Sequence, residues 1–490
     1  MTHDVVVIGS GVGGLVAALL LRARGLSVLV LEAGERCGGK ANVEVVDGVE
    51  FDTGPSVLTL PRIFEAVFAE LGESFAERVQ LVRPEPAFRY SFPSGAELDV
   101  HHELERTLDS VEAVFGTAAR GEFSNYLADA ARIWDAAGPH FVFGPAPDFG
   151  GMLLGGLGKL RAALSIDAFR SLQSAIEARV RSPELRMLLE RYATYNGSDV
   201  RRAPATLGCI AHVELALGGY GVRGGMYELV RALVALAKER GVEFECGARV
   251  EGITIRAGRV SGVRLSADRH IAASHVVANA DVAHVFGELL PAPQRLQGPA
   301  QSAPSMSAYN AVYRVPRQRP RPAHAVVFPT DYLEEFADIF DRERAPRQPA
   351  VYVCAQEIAH HRVGWETEEV LFVMANAPAK QTADRADARA LGELVKSRLV
   401  ERRLLAADAE PVWRRNPSDL ARAFPGSRGS LYGPASNDMG AAFRRAPNEL
   451  RKIPGLFLAS GSAHPGGGLP LVAQSGRQAA ESLLRSRGLA

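Results

Sequence analysis

A glycine-rich turn between a buried strand and a helix constrains this chain more than any other feature. Residues 5–8 form a short, entirely apolar run, typical of a strand that is buried on both faces of a parallel sheet. Gly9, Gly11 and Gly14 follow in GxGxxG spacing, and residues 15–24 predict a helix directly after them. This order predicts the first strand, turn and helix of a Rossmann-type α/β fold.

Each glycine of the turn has its own task. Gly9 permits the tight turn, Gly11 lets the backbone approach a pyrophosphate, and Gly14 allows the helix to pack closely on the strand. The helix N-terminus, with its free N–H groups, favours the anionic pyrophosphate. Residues 27–31 predict a second strand, and Glu32 at its end is placed to accept hydrogen bonds from ribose hydroxyls. The motif predicts a dinucleotide site without deciding between NAD and FAD.

A second glycine-rich segment lies near the other end of the chain. Residues 455–460 predict a strand, Gly466, Gly467 and Gly468 follow it, and residues 472–484 predict a helix. Consecutive glycines suit a place where a flat ring lies against the backbone. Donors at a helix N-terminus would favour the negative charge that a flavin pyrimidine gains on reduction. The two ends together predict FAD, and Gly467→Val is expected to impair activity more than folding.

The middle of the chain returns to the same domain. Val250 is placed to offer backbone groups to an adenine ring, with an ordinary strand valine as the alternative. Asn279 and Asp281 end a predicted strand where a sheet meets its ligand crevice, although both residues also suit a simple turn. The predicted elements of this segment are a helix up to Lys238 that is opened by Gly224, Gly225 and Met226, and strands over 242–245, 248–253, 260–265 and 275–281.

Motifs along nearly the whole chain resemble those of the bacterial carotenoid desaturase family, also called the phytoene dehydrogenase family. They lie at residues 9–14, 51–56, 224–226, 277–281 and 464–470. Further segments are most similar to the hydroxy-carotenoid 3,4-desaturase branch, with one departure at Val200, where the family usually has a proline. These segments are 88–95, 101–102, 191–197, 203–206 and 212–214.

The resemblance implies FAD-dependent introduction of carbon–carbon double bonds into an acyclic carotenoid. For the named branch, the reaction is 3,4-desaturation of a 1-hydroxy-carotenoid by hydride transfer to flavin N5. It also implies attachment to a membrane surface and an electron acceptor, either oxygen or a quinone. The alternatives are a phytoene desaturase, a redox-neutral carotenoid isomerase, and a non-catalytic carrier of prenyl groups or lipid. The complete loop around Gly467 argues against the carrier.

Motifs and resemblance together select the candidate site residues. His212, Glu214, Asp281 and His464 are candidates for a catalytic base, with a structural role as the alternative for each. No metal site is predicted. The expected cofactor-binding residues are Gly9, Gly11, Gly13, Gly14, Glu32, Arg36, Gly38, Gly39, Lys40, Gly54, Pro55, Ser56, Val250, Asn279, Asp281, Gly461, Ser462, Gly467, Gly468, Leu469, Leu471 and Val472.

The length of the chain indicates two domains. Its 490 residues, 47% of them hydrophobic, suffice for two cores. We predict a Rossmann-type, glutathione-reductase-like FAD-binding domain and an interleaved α+β domain that binds substrate and associates with the membrane, with a hairpin over 87–100. The FAD-binding domain is expected to comprise residues 1–75, 216–290 and 445–490, and the substrate domain residues 76–215 and 291–444.

The charge and hydropathy of the chain bear on two possible partners, nucleic acid and the membrane. Lys and Arg together number 56, as do Asp and Glu, so no footprint for nucleic acid is visible. Scattered cysteines, no secretory signal and no run of about 18 apolar residues predict a cytoplasmic protein that at most lies on a membrane surface. Residues 138–164, with Phe141, Phe143 and Phe149, predict either a packed loop and helix or an apolar flap that dips into lipid.

Overall fold

Two large sheets organise the protein, and each draws on separate parts of the chain. The first takes its strands from residues 3–31, 243–278 and 456–458, and the second from residues 88–100 and 307–415. The predicted α/β class with an interleaved second domain is confirmed, while the exact domain boundaries stay a prediction. The structure is a computed structural model that describes residues 3–147, 166–266, 268–295, 302–317, 320–365, 367–380, 385–438 and 440–489.

The first sheet has a core of parallel strands. Val5, Val6 and Val7 of the central strand have no exposed surface, because both faces of the sheet are covered. Two antiparallel strands, Gly252–Arg256 and Arg259–Ser266, extend the sheet from the first half of its longest strand. The parallel order is Glu243–Glu245, Val28–Leu31, His3–Ile8, Arg269–Ala278 and Leu456–Leu458.

The prediction of a strand over 248–253 was wrong about the residue at which the strand begins. The backbone N–H of Gly247 donates to the carbonyl of Gly34 at 3.0 Å, and that of Ala248 donates to the carbonyl of Glu32 at 2.8 Å. Residues 247 and 248 therefore follow the loop beyond the Val28–Leu31 strand. The strand begins only at Gly252.

Three helices share one core with the face of the sheet that carries Val5 and Val7. These helices are Val12–Ala23, Tyr227–Glu239 and Leu469–Ser486. The first and last of them pack with little space between. A Cβ added to Gly476 would lie 2.1 Å from the carbonyl oxygen of Gly13. Only glycine allows this approach, which brings the two glycine-rich ends of the chain together.

The second sheet is mixed, and it contains the predicted hairpin, in which Phe88–Ser91 pairs antiparallel with Glu97–Val100. Its inner face shares a core with the Thr117–Phe141 and Pro183–Glu190 helices, and its outer face packs against the Arg385–Glu401 helix. The strand order is Pro411–Arg415, Ser307–Pro316, Glu368–Ala377, Val351–Ala355, His324–Val327, Phe88–Ser91 and Glu97–Val100.

Smaller elements connect these layers. The remaining strands are Val43–Val46, Val49–Asp52, Leu58–Thr59, Leu81–Val82 and Gly219–Val222. The remaining α-helices are Arg62–Glu70, Phe75–Arg78, Leu104–Phe115, Leu172–Glu177, Cys209–Leu215, Val282–His284, Tyr332–Phe340, Gln356–His360, Pro417–Ala423 and Ala441–Arg444. Short 3₁₀ turns lie at Arg191–Asn196, Ala205–Gly208 and Ala292–Gln294, and a π-helical turn at Val285–Leu289.

Within the described residues, no helix has the length and apolar character needed to cross a membrane. The same residues contain no group of three or more His, Cys, Asp or Glu side chains that could hold a metal ion.

Candidate functional site

One cavity of about 1820 Å³ runs between the two sheets. At one end it is lined by Gly9 and Gly11 of the glycine-rich turn, and at the other by Val326, Tyr352 and Met374 of the second sheet. A pocket for a single ligand measures roughly 300–1,000 Å³. The cavity therefore has room for more than one ligand, and most of its lining is apolar.

Glu32 braces the glycine-rich turn from the end of its strand. Its Oε2 accepts hydrogen bonds from the backbone N–H of Ser10 at 2.8 Å and from the Ser10 hydroxyl at 2.6 Å. Its Oε1 accepts from the N–H of Gly34 at 2.8 Å. A carboxylate has about four acceptor positions, so these three bonds leave one for a ligand hydroxyl. Glu32 lines the cavity, as a ribose-binding residue must.

The glycines of the turn divide their tasks. A Cβ on Gly13 would lie 2.6 Å from the carbonyl oxygen of Ala459, and one on Gly14 would lie 2.3 Å from that of Gly9. Gly13 and Gly14 thus serve helix packing and do not line the cavity. A Cβ on Gly39 would lie 3.3 Å from the Cα of Gly11, so two backbone segments meet beside the cavity.

The C-terminal glycines also line the cavity. A Cβ on Gly467 would lie 2.7 Å from the Cδ1 of Tyr432, so a side chain there collides with the protein itself. Gly467→Val consequently does not separate activity from folding, contrary to the expectation from sequence. Gly468 has a φ of +102°, and no described atom lies within 4 Å of the place where its Cβ would be. It directly precedes the Leu469–Ser486 helix, whose N-terminus therefore opens on the cavity.

Three cations beside these glycines donate to backbone carbonyls. Lys40 Nζ donates to the carbonyl of Leu431 at 2.7 Å, and burial lowers the pKa of Lys40 to about 8, although Asp281 opposes this shift. Arg415 donates to the carbonyl of Thr53 at 2.8 Å. Arg445 is 8% exposed and donates to the carbonyls of Pro434 and Gly461 at 3.2 and 3.3 Å. Burial lowers the pKa of each arginine to about 10.

The described lining of the cavity holds five Lys and Arg side chains and only three Asp and Glu side chains. A positive cavity beside two helix N-termini suits an anionic group. The residues present thus fit a dinucleotide such as FAD.

Most of the predicted cofactor-binding residues meet at this cavity. Arg36 is exposed, donates weakly to the carbonyl of Val43 at 3.5 Å and does not line it. Val250 is buried in the core beneath the first sheet and does not line it either. The predicted residues that do are Gly9, Gly11, Glu32, Gly38, Gly39, Lys40, Gly54, Pro55, Ser56, Asn279, Asp281, Gly461, Ser462, Gly467, Gly468, Leu469, Leu471 and Val472.

Two of the four candidate bases, Asp281 and His464, line the cavity. Asp281 Oδ1 accepts a hydrogen bond from the N–H of Ala283 at 2.9 Å and caps a short helix. His464 Nε2 lies 3.0 Å from the carbonyl oxygen of Gly144, and burial lowers the pKa of His464. Because a carbonyl only accepts, Nε2 carries the proton and Nδ1 is the basic nitrogen of this imidazole.

Glu214 and His212 do not line the cavity. Glu214 is 4% exposed, accepts hydrogen bonds from the hydroxyls of Tyr192 and Tyr195, and lies 3.7 Å from Arg191 Nη1. Since Arg191 and Tyr195 do line the cavity, Glu214 positions them from behind. His212 is half-buried, and burial lowers its pKa.

Sequence reasoning missed the part of the site on the second sheet. Asn310, Met374, Tyr352 and Val326 are paired in one register row across four strands, and all four line the cavity. Strand alternation alone does not identify such residues, because the row depends on pairing between distant segments. The segments that carry the resemblance signalled other lining residues instead: 191–197, 203–206 and 212–214 contain Arg191, Tyr195, Thr206 and Val213.

The segment 138–164 lies partly outside the described residues, which exclude 148–165 and hence Phe149. Phe141 lines the cavity, and its ring centroid lies 6.1 Å from that of Phe443. Phe143 packs edge-on against Trp134 at 6.3 Å and beneath the guanidinium of Arg62 at 5.1 Å. In the described part, both phenylalanines contact the rest of the protein, but Phe143 is also 38% exposed, so the choice between a packed loop and an apolar flap stays open.

A dinucleotide cradle joined to a glycine loop at a helix N-terminus defines a flavoprotein oxidoreductase. Residues 12–484 match the model of the flavin-containing amine oxidoreductase family, and the chain belongs to this family and, within it, to the carotenoid desaturase family. The predicted FAD-dependent oxidoreductase class is thereby confirmed.

Individual relatives agree with this assignment. The chain is 36% identical to a hydroxyneurosporene desaturase of Rubrivivax gelatinosus over 99% of its own length and 93% of the relative's. It is 31% identical to a 4,4'-diapolycopene oxygenase of a Methylomonas species, over 96% of each chain. An oxidoreductase from Methanosarcina mazei shares the fold, with a TM-score of 0.63 at 16% identity, over 98% of this chain and 99% of that one.

Proposed function

We propose that the protein is an FAD-dependent carotenoid desaturase that oxidises a 1-hydroxylated acyclic carotenoid at C-3,4. The observation that carries this proposal is the large apolar cavity, which continues from the glycine-rich turn to the second sheet. An extended apolar molecule bound there would lie along apolar walls beside the proposed cofactor residues. The similarity to a hydroxyneurosporene desaturase over nearly the whole chain supports the reaction.

The proposed cofactor residues fall into two groups. Gly9, Gly11 and Glu32 would hold the pyrophosphate and the ribose, and Lys40 with the loop of Gly467 would hold the flavin. When bound, FAD supplies the acceptor for the hydride that leaves the substrate. The positive lining and the helix N-terminus beyond Gly468 would stabilise negative charge on the reduced ring.

The protein's own contribution is orientation and the removal of a proton. Desaturation takes a hydride from one carbon and a proton from its neighbour, and apolar walls fix the chain so that both carbons meet their acceptors. Among the predicted candidate bases, Asp281 and Nδ1 of His464 are the proton acceptors that line the cavity. Glu214 does not touch the cavity and acts through Arg191 and Tyr195.

An amine substrate is the second possibility that the family name raises. Tyr195, Tyr352 and Tyr432 line the cavity, so the aromatic content of the lining does not exclude an amine. The charge of the lining gives a better argument. A protonated amine would meet an excess of lysine and arginine side chains, which disfavours its binding.

We also propose that the protein lies on a membrane surface and takes its substrate from the bilayer. Phe169 is 58% exposed and lines the cavity, so an apolar side chain marks its opening. Phe169→Ser should reduce flotation with vesicles of neutral and anionic phospholipid. Val363→Ser is the matched control, because Val363 is 90% exposed and lies away from the cavity. Equal loss in both variants, or in neither, would contradict this opening as the docking point.

Turnover tests the proposed reaction directly. The purified, FAD-loaded protein is given a 1-hydroxylated acyclic carotenoid in vesicles, and the products are identified by absorption and mass. We expect loss of two hydrogens and a longer conjugated chain. We propose oxygen or a quinone as electron acceptor, and anaerobic assays with and without a quinone distinguish the two. A product that gains oxygen would support an oxygenase, and a mass-neutral product an isomerase.

A further inference from the structure

Asn310 is a buried amide with an unused hydrogen-bonding atom in the cavity wall. It lies on the Ser307–Pro316 strand, is 3% exposed and lines the cavity. Among the described residues, its Oδ1 has no hydrogen-bond partner. Leaving a buried polar atom without a partner costs about 1–3 kcal/mol. A ligand that satisfies this atom would recover that cost.

The position of Asn310 in its strand rules out an ordinary core role. Its neighbours Tyr309 and Ala311 point to the opposite face, where they pack in the outer core of the sheet. Asn310 shares the inner face with the apolar side chains of Met374 and Val326, which lie in the same register row. A buried amide oxygen without a partner is costly at such a place, which points to a ligand.

Asn310 also lies close to the expected reaction centre. Its register partner on the adjacent strand is Arg415, whose guanidinium donates to the carbonyl of Thr53 at 2.8 Å. Thr53 directly precedes Gly54, Pro55 and Ser56, which line the cavity and are predicted cofactor-binding residues. Within its register row, Asn310 therefore lies at the end that adjoins Arg415 and the proposed cofactor residues.

The chemistry of the amide selects the ligand group. An unused Oδ1 needs a donor, and the amide N–H₂ needs an acceptor. A hydroxyl supplies both, whereas a ketone, an aldehyde or an ether supplies only an acceptor. In a 1-hydroxy-carotenoid, a single carbon separates the carbon that bears the hydroxyl from the C-3,4 bond. A hydroxyl bound at Asn310 thus places this bond beside the flavin.

We propose that Asn310 is the specificity-determining residue that binds the substrate hydroxyl and sets which bond is oxidised. This inference rests on the proposed function. It assigns to Asn310 a positioning role, since the amide touches the hydroxyl and not the carbons that react.

The test compares two substrates in two variants of the FAD-loaded protein. The substrates are a 1-hydroxylated acyclic carotenoid and its methyl ether, which cannot donate. Asn310→Leu removes the amide at similar volume, and Tyr309→Phe is the control, because it removes a polar group from the adjacent residue on the other face. The parent should prefer the alcohol over the ether in kcat/KM, and Asn310→Leu should reduce this preference by about tenfold or more. Tyr309→Phe should leave the preference unchanged.

Stability separates recognition from a structural role. Replacing an amide with an unused atom by leucine should leave the Tm unchanged or raise it. A lowered Tm or an unfolded Asn310→Leu protein would overturn the inference, as would an unchanged preference. A parent that converts alcohol and ether equally well would also overturn it, without any variant. A parent that converts neither would contradict the proposed function instead.

Discussion

Replacing Glu32 by alanine tests the cofactor site most directly. This carboxylate has roughly four acceptor positions, and three of them already accept hydrogen bonds, two from Ser10 and one from Gly34. At most about one position is therefore left for the cofactor. A hydrogen bond to a charged acceptor contributes about 1.5–3 kcal/mol. Loss of that one bond should therefore weaken FAD binding by roughly 10- to 150-fold in Kd.

The bracing of the turn adds a second, separable effect. Ser10→Ala removes the 2.6 Å bond between the serine hydroxyl and Glu32 but keeps the carboxylate. If Glu32 acts only by holding the turn, Ser10→Ala should reproduce a good part of the loss, and the double variant should not add the two effects. If Glu32 also binds the ribose, Glu32→Ala should be clearly worse than Ser10→Ala.

The assay is a titration of the flavin-free protein with FAD, followed by the change in flavin fluorescence. Glu35→Ala is the matched control, since Glu35 is an exposed carboxylate on the same loop and does not line the cavity. We expect Glu35→Ala to bind FAD like the parent. An unchanged Kd in Glu32→Ala would refute the assignment of the ribose to this residue.

Two further changes test the packing and the electrostatics of the fold. Gly476→Ala would place a Cβ 2.1 Å from the Gly13 carbonyl oxygen and should lower the free energy of unfolding by about 1–3 kcal/mol. Gly121→Ala is the control, because Gly121 lies in a helix with open space around it, and it should raise the free energy of unfolding by about 0.5–1 kcal/mol. Both values are measured by urea titration. Equal effects at the two sites would contradict the helix contact. Burial raises the pKa of Glu335 from 4.5 to about 7, against hydrogen bonds from Ala350 and Asn376 that lower it. Because the folded-state pKa of Glu335 is raised, the contribution of this residue to the free energy of unfolding is complete below about pH 4.5. This contribution, about 3 kcal/mol in total, is lost as the pH rises through 7. Glu335→Gln should remove this part of the pH dependence, and an unaltered difference in unfolding free energy between pH 5 and pH 8 would count against it.

Residues close together in sequence were predictable, and residues joined by distant pairing were not. The turn at Gly9, Gly11 and Glu32 is one contiguous strand, turn, helix and strand, so its spacing alone carries the geometry. Asn310 reaches the cavity only because its strand pairs with Met374 on one side and Arg415 on the other. The local sequence does not predict that register, because a strand with alternating side chains has the same pattern whichever residues of another strand it pairs with.

Glu214 illustrates the same limit for chemistry. As a carboxylate in a segment that carries the family resemblance, it was a reasonable candidate base. In the structure it is enclosed by two tyrosine hydroxyls and the guanidinium of Arg191, and it does not reach the cavity. A group without access to the substrate cannot take its proton, whatever its pKa. Burial and contact decide the role of such a residue, and neither can be read from its type.

The distribution of charge explains how one cavity can serve two very different molecules. Lys40, Arg415 and Arg445 lie where the glycine-rich segments from both ends of the chain meet, and they donate to carbonyls. An anionic cofactor bound there would interact favourably with these cations, which would offset the cost of their burial. The inner face of the second sheet offers mainly apolar side chains, with Asn310 as a neutral amide among them. A polyene with one hydroxyl matches that face in polarity, whereas a charged substrate would have to lose its hydration there without a partner of opposite sign. The cavity thus favours an anionic cofactor at one end and a neutral, largely apolar substrate at the other, which is the pairing that the proposed reaction requires.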